Sequence, residues 1–338
     1  MDQRFQRIDL SFQSAQESKL AQSIVDSLAF PEMQSRYQAI TDHHSRTFEW
    51  MFSDTDSQYH KWLHAQSSIF WVCGEAGSGK STLMRYLRGE FESRALLETW
   101  AGDRQLMLAA HYFWIPGSPL QKSLEGMLRT LLHQLLKDQS DLLPTACPAR
   151  WAQTQGSAHM INEPWIYAEL VDAVANLGTR GDLAICFFID GLDECEERSH
   201  PKLNQLLRRL SNLPHVKICM SSRPWTAFKR EFEGNTETIL LHELNLRDIF
   251  EYDFRDGISA YSFVPPSLEA SPTKILIYTT VLKAQGVFLW ASIVMDGICT
   301  RLVHQSATEV LPYLDDFPPD LETHFERQIF SRIDATYR

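Results

Sequence analysis

The chain has 338 residues, of which 44% are hydrophobic and 22% charged, a length and balance suited to one large or two moderate globular domains with a sizeable core. Its 32 Lys and Arg against 43 Asp and Glu give a net charge of −11, and no basic stripe is visible, which argues against a nucleic-acid binder. Met1-Asp2-Gln3-Arg4 opens no apolar signal core, and the longest apolar run, Val287 to Met295, is far short of the roughly 20 residues that span a bilayer; a cytoplasmic protein with no membrane span is expected.

Residues 1–45 are polar and rich in Gln and Ser, with one helix expected around Glu17–Leu28. An aromatic patch follows, Thr47-Phe48-Glu49-Trp50-Met51-Phe52 with Trp62-Leu63. Ile69-Phe70-Trp71-Val72-Cys73 then reads as a short buried strand, and Thr82 to Arg88 as a helix with apolar residues at 83, 84 and 87. Between them lies Gly74-Glu75-Ala76-Gly77-Ser78-Gly79-Lys80-Ser81, a complete G-x-x-x-x-G-K-[ST] phosphate loop in the strand–loop–helix setting that motif requires. Its glycines permit backbone angles that bring several N–H groups to one point, where they cradle phosphate oxygens. Lys80 would charge-pair the β- and γ-phosphates, Ser81 would ligate magnesium, and the helix beginning with Ser81 and Thr82 would turn its positive end to the same anion.

A second strand is expected over Leu106–Trp114. Ser118-Pro119-Leu120-Gln121 resembles a capping box opening a helix, and Leu120, Leu124, Met127, Leu128, Leu131, Leu132, Leu135 and Leu136 form one apolar stripe behind it, read as core. Residues 140–160 read as a loop, and a helix is expected near Pro164–Leu177. Leu183 to Ile189 is a continuous apolar run ending at Asp190, the pattern of a strand buried on both faces that delivers a carboxylate to the ligand-binding edge of a parallel sheet. Asp190 is thus the candidate magnesium carboxylate, Asp193 is placed to polarise a water at the γ-phosphate, and Glu194 is the second catalytic candidate; the competing reading is that Asp190 and Glu194 only cap a following helix.

Val216 to Met220 is again a strand, and Ser221-Ser222-Arg223-Pro224 its polar tip. Pro224 holds Arg223 extended, from where its guanidinium can read a γ-phosphate, the alternative being a surface ion pair. A last short strand is expected at Thr238–Leu241. Beyond residue 244 only helices are expected: Leu246–Phe254 capped by Asn245, Lys274–Ala284, Phe288–Arg301 after a break at Gly286, and Leu321–Arg332. The six cysteines form no C-x-x-C pair; three lie in strands and read as small buried hydrophobes. The expected fold is α/β, a three-layer P-loop NTPase with a mostly parallel sheet, followed by a small all-helical domain.

Trp71-Val72-Cys73 with the loop, Asp190-Gly191-Leu192-Asp193-Glu194, Ser221-Ser222-Arg223-Pro224 and Gly286-Val287-Phe288-Leu289-Trp290 together resemble the NACHT NTPases of the STAND class, in the fungal, nephrocystin-like form. The small residue after the magnesium aspartate and the acid two positions later are the feature that separates them from AAA-type ATPases. The resemblance implies three parts, an N-terminal segment (1–45), a NACHT module (46–244) and a helical domain (245–338) cut short before a winged helix. It implies an ATP- or GTP-operated signalling switch with slow magnesium-dependent hydrolysis, diphosphate-bound when off, triphosphate-bound and self-assembling with protein partners when on. Arg223 would be its γ-phosphate sensor, and the Gly286 segment would pack on the base, although Val287-Phe288 replaces the usual proline. The winged-helix histidine has no counterpart, and His304 and His324 read as solvated helix residues. Two other functions stay open: a scaffold that binds nucleotide without hydrolysis, and a P-loop kinase or cycling ATPase. The 73 residues ahead of Gly74 count against the kinase.

Overall fold

The computed structural model describes residues 17–40, 48, 50–53, 57–65, 68–156, 163–232, 234, 236–241, 272–284 and 287–317. Five strands, β1 (Ile69–Cys73), β2 (Gln105–Tyr112), β3 (Leu183–Asp190), β4 (Val216–Ser222) and β5 (Glu237–Leu240), form one parallel sheet in the order β2-β3-β4-β1-β5. The register pairs Tyr112 with Asp190 and Ile189 with Met220. β1, β3 and β4 are buried at every residue, which is why β1 and β3 up to Ile189 read as unbroken apolar runs and β4 as a run broken only by Lys217 before its two terminal serines.

The helices that flank the sheet are α1 (residues 17–28), α2 (Gln58–His64), α3 (Lys80–Gly89), α4 (Phe91–Ala101), α5 (Leu124–Leu136), α6 (Tyr167–Gly178), α7 (His200–Ser211) and α8 (Thr226–Phe232). The leucine stripe of α5 is core, with Met127, Leu128, Leu131, Leu132 and Leu136 fully enclosed between β2 and α6. The aromatic patch is core as well: Phe48 and Phe52 meet Tyr86, and Tyr59, Trp62 and Phe70 pack ring on ring. Lys217, inside β4, donates from its ammonium to the Trp62 carbonyl at 2.7 Å beneath the Trp62 ring, and burial brings it down to about 8.

Two expectations are corrected. The Ser118–Gln121 box is half formed, with Gln121 Oε1 accepting from Ser118 N at 2.9 Å while Ser118 Oγ makes no hydrogen bond among the described residues, and it closes a single 3-10 turn, Pro119–Lys122. The long helix starts afresh at Leu124, where Ser123 Oγ accepts from Gly126 N at 3.1 Å. The loop expected over 140–160 contains a 3-10 turn (Ser140–Leu142) and two helices, Leu143–Ala146 and Pro148–Gly156. Both prolines of that stretch sit in a first helical turn, where the missing N–H costs nothing, and Leu142, Leu143, Ala146 and Cys147 are buried.

The chain divides into two compact units. One holds residues 1–43, 48–72 and 81–239; the other holds 44–47, 73–80 and 240–338. The second unit contains α9 (Pro272–Ala284) and α10 (Phe288–Leu302), then a short helix Ala307–Val310 and a 3-10 turn Leu311–Asp316. Trp290, Ala291, Val294 and Ile298, one face of α10, meet Leu276, Val310 and Leu314 in a small separate core. The expected helices at 246–254 and 321–332, with Gly286 and His324, lie outside the described residues. No helix among the described residues is long and apolar enough to cross a membrane.

Candidate functional site

β1 runs into the glycine loop and the loop into α3, so the expected strand–loop–helix order is present. Gly77 and Gly79 have φ of 77° and 86°, in the left-handed region that disfavours every residue with a Cβ. Gly74 is required for closeness instead, since an added Cβ would stand 2.5 Å from Ser78 Oγ. That hydroxyl is enclosed and has no hydrogen-bond partner among the described residues, a costly state for a buried polar group and one that a ligand oxygen would relieve. Lys80 Nζ curls over the loop, donating to the Gly74 and Glu75 carbonyls at 2.7 Å each. Glu75 and Ala76 are exposed, whereas Gly77, Ser78, Gly79, Ser81 and Thr82 are half-buried. The Gly77 carbonyl accepts from Leu289 N, in the first turn of α10, at 2.9 Å.

The acids cluster beyond β3. Asp190 is 2% exposed, and Ser221 Oγ, from the end of β4, donates to Asp190 Oδ1 at 2.5 Å while accepting from Gly191 N at 2.9 Å. This bond fixes the rotamer of the carboxylate. Gly191 at φ 73° then turns the chain into the 3-10 turn Leu192–Glu194. Asp193 is held from two sides: Arg223 Nε lies 3.0 Å from Oδ2, and the Arg223 amide donates to Oδ1 at 3.0 Å. Two of the sequence candidates are therefore each other's partners, with Asp193 enclosed and Arg223 41% exposed at its side chain.

Glu194 is engaged differently. Its Oε2 accepts from Ile115 N, just beyond β2, at 3.1 Å. Burial raises its pKa above the ordinary carboxylate value; the Ile115 amide and Arg36 pull it down, and Asp190 and Asp193 push it up. A half-buried carboxylate biased toward holding a proton is the chemistry of a general base. Ser221 and Arg36 carried no signal in the sequence beyond their type. Ser221 stood inside a quoted motif without a role, and Arg36 lay in a segment with no motif.

A parallel sheet flanked by helices, with a glycine-rich loop after its first strand and paired acids after its third, defines a P-loop-like α/β protein. Residues 46–223 match the family described as nephrocystin 3, N-terminal, and the chain belongs to that family. A comparison with curated proteins gave no match.

Proposed function

We propose that the chain is a nucleotide-operated switch of NACHT type that binds ATP or GTP and hydrolyses it slowly. The observation that carries the reading is the glycine loop, with two left-handed glycines, a lysine over its carbonyls and an enclosed serine hydroxyl without a partner among the described residues. Its amides and Lys80 would hold the phosphates, and the residues from Gly74 to Thr82 form the binding set. Ser81 and Asp190 are the residues that would hold magnesium, which when bound supplies positive charge at phosphate oxygens. Ser221 keeps Asp190 aimed.

Glu194 is the residue suited to take a proton from the attacking water, because its Oε1 makes no hydrogen bond among the described residues and its carboxyl is biased upward. Asp193, read from the sequence as the group that polarises this water, has both oxygens on Arg223 and serves to position that arginine. The same pairing favours a second reading, a scaffold that binds nucleotide and does not hydrolyse it.

Lys80→Ala weakens binding of a fluorescent ATP analogue by about 10- to 100-fold, the size expected for losing a charge-assisted contact; unchanged affinity removes the loop from the site. Glu194→Gln keeps binding and slows single-turnover hydrolysis by about 100-fold or more if Glu194 is the base. Wild-type protein that binds ATP without turnover selects the scaffold.

A further inference from the structure

Residues 17–40 lie ahead of residue 46, where the family match begins, yet they belong to the same compact unit as β2, β3 and β4. One face of α1 is core, with Ala21, Ile24, Val25 and Leu28 enclosed. The carbonyls at its end, beyond reach of any helical N–H, are taken by Arg129 of α5. Its guanidinium donates to the carbonyls of Ser27, Leu28 and Ala29 at 3.2, 3.0 and 3.0 Å. Trp165 Nε1 donates to Ser27 Oγ at 3.0 Å. Further along, Gln121 Nε2 donates to the Glu32 carbonyl at 3.1 Å and to Ser35 Oγ at 2.8 Å. A segment fastened at so many points holds the side chains it carries in fixed places.

The side chain it carries to the candidate site is Tyr37, half-buried on the short helix Ser35–Ala39. The Tyr37 ring packs against the ring of Tyr112 on β2, with centroids 5.3 Å apart. Arg85 of α3 lies 5.1 Å over the same Tyr37 ring and donates to the Ile40 carbonyl. One ring thus touches two elements at once. Tyr112 is the register partner of Asp190. Arg85 follows Ser81 by about one turn of α3, on the same helix face. Each neighbour of Tyr37 is therefore one step from a residue that would hold magnesium.

We propose that Tyr37 is a positioning residue for the magnesium pair, setting the spacing of α3 from β2 and so of Ser81 from Asp190. The inference rests on the reading of those two residues as the magnesium holders. Both contacts are made by the ring, so the role needs the ring and not the hydroxyl. Magnesium demands near-ideal placement of its ligands. A shift of α3 against β2 accordingly registers at the metal before it registers at the phosphates, which the glycine loop holds.

The test measures binding of a fluorescent ATP analogue to the full chain as magnesium chloride is added, and again in EDTA. Tyr37→Leu raises the magnesium concentration for half-maximal tightening by about 10-fold, the size of effect that groups behind the ligands have on a metal site. Its affinity in EDTA stays at the wild-type value, and Tyr37→Phe, which keeps the ring, matches wild type throughout. A magnesium dependence unchanged in Tyr37→Leu, or shifted as far in Tyr37→Phe, overturns the inference. Hydrogen exchange reads the brace without any ligand: amides of residues 81–89 exchange faster in Tyr37→Leu while those of α5 stay protected. Protection lost in α5 as well makes Tyr37 a support of the fold alone, and overturns the inference too. If wild-type protein binds the analogue equally with and without magnesium, the assignment of Ser81 and Asp190 falls, while hydrogen exchange still decides whether Tyr37 braces α3 against β2.

Discussion

His111 is buried on β2 with its ring edge-on to Phe113 at 4.6 Å. Burial pushes it down to about 3, the Gln121 backbone offsetting only part of that. The folded chain therefore stays unprotonated at His111 while the unfolded chain takes up a proton below about 6.5. Since the unfolded state binds more protons there, stability is unaffected above that pH and falls as pH drops from 6.5 toward 3, by up to about 1.4 kcal/mol per unit. His111→Phe removes this component. Urea unfolding at pH 7 and pH 5 gives a smaller difference in midpoint for the variant than for wild type, and an equal difference contradicts the neutral assignment. Asp190, by contrast, owes its place to a neighbour: the Ser221 hydroxyl and the Gly191 turn decide where its oxygens point.

At the scale of elements, α5 shows where sequence patterns mislead. Ser118-Pro119-Leu120-Gln121 satisfies the chemistry of a helix start, but the chain spends it on one 3-10 turn and caps α5 with Ser123. Ser123→Ala costs about 1 kcal/mol, read as a lower urea midpoint at an unchanged m-value, whereas Ser118→Ala costs less. A greater loss from Ser118→Ala reverses the assignment. β1 and β3 were legible because burial on both faces writes an uninterrupted apolar run, which β4 keeps apart from Lys217 and its terminal serines, and the glycine loop because a left-handed backbone demands glycine. The helices over 143–156 were not, because proline and serine mark helix starts and loops alike. Pairings distant in sequence left no local trace: nothing near Arg223 announces Asp193, and nothing near Lys217 announces the Trp62 carbonyl.

For the whole molecule, the decisive point is that residues 73–80 group with the C-terminal helices in one compact unit. Leu289 N is a donor that an α-helix leaves unsatisfied in its first turn, and the Gly77 carbonyl takes it. Leu289→Pro deletes that donor at a position where a helix tolerates proline, and Leu289→Ala keeps it. Release of a bound fluorescent nucleotide is faster in Leu289→Pro than in Leu289→Ala, whose rate stays near wild type; equal rates in the two variants sever the loop from α10. The amide plane joining Gly77 to Ser78 gives this bond its further meaning. A trans peptide is rigid, so its oxygen and its hydrogen point opposite ways and rotate together. With the oxygen on Leu289, the Ser78 hydrogen faces the Glu75 carbonyl, to which it donates at 3.2 Å. Any anion that draws this hydrogen to itself must swing the oxygen out of line with Leu289. One planar unit of six atoms would thus work as a rocker under the proposed function, with a phosphate oxygen on one arm and the start of a fifteen-residue helix on the other.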